Sequence, residues 1–215
     1  LRNGAVSSWG LVKAYEEIVD RQKSKQVLRI PLTLSMAVDI LNDIAEKGYD
    51  SIPYLKESIL GVKITSGTRF DRWFYYEAFT NRLIISTAAN VAPEYVQAGP
   101  SEKENHLKLL EKFQDYALSV CHYKRRPKEI DPKVDNVFTS STLVSKDGQG
   151  AYQFVHRSVQ EFFIAQAIVH ELSHLHSDFS SPENIQGYIL NQKLQEHTSQ
   201  VIRFLKDAYQ GARLN

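Results

Sequence analysis

Between Val137 and His156 the chain leaves the helical spacing of apolar residues that it keeps elsewhere, and this switch constrains the fold more than any other feature of the sequence. Thr142 to Ser145 and Tyr152 to His156 are short β-prone runs flanking Lys146, Asp147, Gly148, Gln149 and Gly150, the signature of a hairpin. Tyr152, Phe154 and His156 alternate with Gln153 and Val155, which puts the histidine on the same strand face as two aromatics. A hairpin preceded and followed by helices suggests a winged-helix unit.

The rest of the chain reads as helices with recognisable starts. Leu11 to Asp20 forms a first segment, and Pro31 opens a second carrying Leu32, Leu34, Ser35, Val38, Ile40, Leu41 and Ile44, with Gly48 as its stop. Thr68 with Asp71 begins an aromatic helix in which Phe70, Trp73, Phe74, Tyr76 and Phe79 cover more than one face, so it is expected to be enclosed by neighbours. Ala88 to Pro100 breaks regular structure. Ser101 and Glu104 then cap a helix whose stripe is Leu107, Leu110, Phe113, Ala117 and Val120, ending at a basic cluster of Lys124, Arg125, Arg126 and Lys128, with Pro127 and Pro132 as terminators. After the hairpin, Ser158 with Glu161 starts a long helix buried along Phe162, Ala165, Val169 and Leu172. Short helices near Pro182 and Thr198 complete a mainly α chain: a helical domain, a winged-helix domain with a small β-hairpin, then further short helices.

Composition excludes several classes. Lys and Arg number 26 against 25 Asp and Glu, a formal charge of +1 with no single-sign field for nucleic acid or an anionic membrane. Cys121 is the only cysteine, so neither an internal disulfide nor a CxxC metal pair can form, and a cytoplasmic location is expected. The longest largely apolar stretch, Phe162 to Val169, is far short of the roughly 20 residues of a membrane helix.

Three chemistries can be weighed on the residues. His170, Glu171 and His174 satisfy H-E-x-x-H, in which histidines one helical turn apart chelate zinc and the glutamate polarises water, the basis of a zinc-dependent hydrolase. His176, Glu183 and Glu196 are the nearby candidates for a third ligand. A DNA-binding winged helix would need phosphate contacts, for which the hairpin and the helix after it offer only Lys146 and Arg157. Neither a G-x-x-x-x-G-K-[ST] loop nor a G-x-S-x-G elbow occurs, and Cys121 is read as a small apolar helix residue although His122, Lys124 and Arg125 stand beside it. The chain is therefore expected not to be an enzyme by itself.

The stretch Phe138 to Val169, "FTSSTLVSKDGQGAYQFVHRSVQEFFIAQAIV", resembles the winged-helix part of NACHT-type signal-transduction NTPases, the STAND class that includes the NOD-like receptors. Phe154, His156, Ser158, Gln160, Glu161, Phe162, Phe163 and Ala165 match the family pattern. Arg29 to Leu41, "RIPLTLSMAVDIL", is similar to the family's Pro-Leu-x-Leu helix, Thr68 to Leu83 to its aromatic helix, and Leu190 to Tyr209 to the segment that follows.

The resemblance implies a first helical domain over 1–66, a winged-helix domain over 67–178 and the start of a further helical segment over 179–215. It also implies that the phosphate loop and magnesium-binding strand lie on a nucleotide-binding domain before Leu1, so that ADP or ATP with magnesium belongs to the longer parent and no cofactor is expected for this piece alone. In that family the proline at Pro31 packs near the adenine and the histidine at His156 contacts the β-phosphate of ADP. The expected partners are that missing domain and, on activation, further copies of the same chain, with no membrane and no nucleic acid.

Overall fold

The computed structural model describes residues 31–47, 52, 55, 71–97, 102–121, 131–178 and 198–212. Among them are six α-helices and one antiparallel strand pair. The helices are α1 (Pro31–Lys47), α2 (Arg72–Val91), α3 (Glu102–Val120), α4 (Pro132–Ser140), α5 (Arg157–Asp178) and α6 (Thr198–Ala212), with a 3-10 turn at Pro93–Tyr95 and strands β1 (Val144–Lys146) and β2 (Tyr152–Phe154) between α4 and α5. The expected helices at Leu11 to Asp20 and near Pro182, the stop at Gly48, the caps at Thr68 and Ser101 and the basic cluster from Lys124 to Lys128 lie outside the described residues. No described helix is long and apolar enough to cross a membrane. Two compact units divide the chain, Leu1–Asn81 with Tyr209–Asn215, and Arg82–Ala208.

In the first unit, α1 starts on Pro31, whose fixed φ suits a first turn and whose missing N–H removes no helical bond. Thr33, Met36, Ala37, Ile40 and Leu41 are buried, at the spacing of a single helix face. The outer face carries Pro31, Leu34, Ser35 and Val38, with Leu34 and Val38 39% and 47% exposed. Helix α2 begins one turn later than Thr68 would require, because Asp71 itself is the cap: its Oδ1 accepts from the Phe74 N–H at 3.0 Å. Trp73 to Ala78 are buried without a break, as the aromatic crowding predicts. The indole N–H of Trp73 donates to Glu77 Oε2 at 3.1 Å, giving one of these buried polar groups its partner. Helix α2 runs through Ala88 to Val91 rather than breaking there, since alanines favour helix and the first obstacle is Pro93.

The second unit is built around α5, which packs against α3 and β2, while α4 packs on α3 and β1. Every residue from Val159 to Val169 is buried, so α5 is enclosed on all sides instead of along one stripe, and Leu172 at its far end is 41% exposed. Helix α3 contributes Leu109, Leu110, Phe113, Ala117 and Leu118 to the core, whereas Leu107 is half-buried and Val120 is exposed. Phe113 stacks on Phe163 with centroids 5.3 Å apart and tilts against Phe138 at 5.0 Å, and Phe162 meets Phe204 of α6 edge-on at 5.4 Å. Pro132 opens α4 rather than terminating a helix. Asp131 caps that start by accepting from the Lys133 N–H at 2.9 Å, and its other carboxylate oxygen accepts from the Tyr95 hydroxyl.

The strands pair Val144 with Phe154, Ser145 with Gln153 and Lys146 with Tyr152. Their loop is closed by Asp147, whose Oδ1 accepts from the N–H groups of Gln149 and Ala151 at 2.8 and 2.9 Å. Gly150 takes a φ of +85°, the left-handed conformation that a side chain disfavours.

Candidate functional site

The junction of β2 with α5 carries the site. Tyr152 and Phe154 share the inner face of the hairpin: Tyr152 lies 5.8 Å from Phe138, Phe154 lies 5.6 Å from Phe163, and the Tyr116 hydroxyl donates to the Tyr152 carbonyl. Gln153 faces solvent, and the alternation then stops. The Val155 N–H still reaches the Leu143 carbonyl at 3.0 Å, but the Val155 side chain is 62% exposed and the chain bends.

His156 therefore does not share the aromatic face that strict alternation predicts. It caps α5, which starts at Arg157, so the cap stands two residues ahead of the one expected at Ser158. The His156 carbonyl accepts from the N–H of Val159 at 3.0 Å and of Gln160 at 3.4 Å. Its Nδ1 accepts from the Ser158 N–H at 3.2 Å and lies 2.6 Å from Ser158 Oγ. A side-chain acceptor on the second N–H of a helix is the geometry of an N-cap, here supplied by an imidazole. The ring is exposed, and Nε2 has no partner among the described residues.

The surrounding side chains are tied down. Arg157 Nε donates to Glu161 Oε1 at 3.1 Å, pairing an exposed guanidinium with a buried carboxylate. Gln160 Nε2 donates to Cys121 Sγ at 3.2 Å, and the half-buried Cys121 is thus held against the first turn of α5. On the hairpin, Lys146 Nζ sits 5.2 Å from the centre of the Tyr152 ring. The two cations considered for phosphate contacts are accordingly engaged, one by an aromatic face and one by a carboxylate.

Pro31 is exposed at the first position of α1 and belongs to the first unit, whereas His156 belongs to the second. His170 and Glu171 are half-buried in α5, and His174 follows on the same helix. Among the described residues no three His, Cys, Asp or Glu side chains gather as a metal-holding group. The sequence pattern gives Ser158 as a helix start and does not reveal its contact with His156. The legible signal was a histidine two residues ahead of a serine at a helix start.

The donor set fits an anionic oxygen. A ring that accepts at Nδ1 carries its proton at Nε2 and offers one N–H outward, the complement of a phosphate oxygen. Compared with protein-family models, curated proteins and solved structures, the chain finds no match.

Proposed function

We propose that this chain is the regulatory portion of a NACHT-like nucleotide-dependent signalling switch, in which His156 and Pro31 help to hold ADP in a closed state. In this reading residues 67–178 form a winged-helix domain, and the phosphate loop and magnesium site belong to a nucleotide-binding domain of the same longer protein. The exposed His156 ring carries the reading, because it has its Nδ1 engaged by Ser158 and, among the described residues, no partner at its Nε2. Support also comes from the family-like residues around it and from the exposure of Pro31 at the start of α1.

ADP, when bound, supplies the diphosphate oxygens and an adenine face. His156 contributes a neutral donor at Nε2, and the cap holds that donor in place before any ligand arrives. Pro31 contributes a rigid apolar ring whose position is set by the first turn of α1. A contact of this kind biases a two-state equilibrium only by its differential strength in the two states. Holding the diphosphate in the closed state alone is such a difference, and its loss on exchange for ATP frees this portion to move and the protein to self-associate.

A hydrogen bond to a charged acceptor is worth about 1.5–3 kcal/mol. In the full-length protein, His156→Ala should therefore speed ADP dissociation about tenfold or more and raise basal oligomerisation. Fluorescent-ADP displacement and light scattering read both. Unchanged dissociation together with unchanged assembly overturns the proposal.

A further inference from the structure

We infer that Ser158 is the positioning residue that fixes the tautomer of His156, so that Nε2 is held as a hydrogen-bond donor and the site selects an anionic oxygen over a metal ion. The inference deepens the nucleotide reading and, for its ligand, rests on it.

A neutral imidazole has two tautomers, and what its nitrogens can do depends on which of them carries the proton. Two groups of one residue converge on His156 Nδ1: the Ser158 N–H at 3.2 Å and the Ser158 Oγ at 2.6 Å. A backbone N–H can only donate, so the Nδ1 lone pair must face it and the ring proton resides on Nε2. The hydroxyl, which can donate or accept, then donates to the same Nδ1 lone pair, which the two Ser158 donors share. Ser158 is half-buried, while the ring beyond it is exposed. The pair of bonds also fixes the plane of the ring, since rotation about the ring axis would break both.

The consequence is chemical selection. A Nε2 that bears hydrogen has no lone pair for a metal, yet it can donate to a phosphate or carboxylate oxygen. The ring is also the cap of α5, so a ligand bound at Nε2 acts directly on the first turn of the helix at the centre of its unit.

The test is a tautomer measurement on the full chain with 15N-labelled histidine, the His156 signals being assigned by their loss in His156→Ala. Wild type should show Nε2 protonated and Nδ1 as acceptor. Ser158→Ala, which keeps the weaker backbone bond, should raise the Nδ1–H population severalfold, and Ser158→Thr should restore the wild-type pattern. ADP dissociation should quicken about threefold in Ser158→Ala, within what one neutral hydrogen bond allows, and should not quicken further when His156→Ala is already present.

A protonated Nδ1 in wild type, a tautomer indifferent to Ser158→Ala, or an additive effect in the His156→Ala background each overturns the inference. The two readings fail separately. A tautomer that responds while ADP retention ignores His156→Ala upholds the positioning role and sinks the nucleotide reading. An unresponsive tautomer with ADP released by His156→Ala does the reverse.

Discussion

A single residue, His156, ends one element and begins another. The β2 ladder closes at the Val155 N–H, and one residue later the imidazole accepts from the first turn of α5. Such a cap works only while the ring nitrogen keeps its lone pair, which couples local structure to the chemistry the site offers. A second position decided at this scale is Gly150. With φ at +85° and nothing within 4 Å of an added Cβ, Gly150→Ala meets no clash and bears only the backbone cost. That cost should lower stability by about 1 kcal/mol. Gly148→Ala, in equally open space without a positive φ, should change stability little, and urea unfolding of the two variants side by side checks the contrast.

Elements in the second unit are held together by aromatic contacts and by polar ones, among them a buried pair of amides. Gln114 of α3 donates from Nε2 to Gln166 Oε1 of α5 at 3.2 Å, and both side chains are almost fully buried. Gln114 Oε1 and Gln166 Nε2 have no partners among the described residues, so the pair is half satisfied there. A buried polar group stripped of its only partner costs about 1–3 kcal/mol, whereas replacing both groups with apolar ones of similar shape can be neutral or favourable. Gln166→Leu alone should therefore destabilise the protein, and Gln114→Leu with Gln166→Leu should recover most or all of the loss. A double-mutant cycle by chemical denaturation measures the coupling. A double variant less stable than either single one would show that the amides contribute more than register between the two helices.

At the scale of the whole molecule, near-neutral charge makes acid sensitivity depend on particular groups rather than on net repulsion. Among the described residues His106 of α3 is the strongest such group: burial pushes its ring from 6.5 down to about 4, and its Nε2 is shut from solvent with no partner among those residues. The unfolded chain takes up this proton as pH falls below 6.5, while the folded chain resists until about 4. Stability is thus fully present above the unfolded value and declines between these two pH values, by about 3 kcal/mol for a shift of this size. His106→Leu should flatten that part of the stability profile, as read by the denaturation midpoint at pH 7, 5.5 and 4.5. An unaltered slope would assign the acid loss to carboxylates such as Asp131, which the Tyr95 hydroxyl holds below its usual range.

The sequence by itself determined what depends on neighbours along the chain: the helical class, the start of α1 at Pro31, the aromatic enclosure of α2, and the hairpin with its turn residues. Helix propensity, capping chemistry and strand alternation act over a few residues, and those residues are adjacent in the text. Where local rules competed, the tertiary structure chose. Asp131 and Pro132 signal a helix start as clearly as a stop, and the Tyr95 hydroxyl beside Asp131 goes with the former. Leu34 and Val38 look like core residues until Thr33, Met36 and Ala37 take the inner face of α1. Alternation carried two residues too far would have hidden His156 among aromatics, but the chain bends at Val155 to begin α5 and leaves the ring in solvent. Burial is a property of what surrounds a residue in space, and no pattern along the chain fixes it alone.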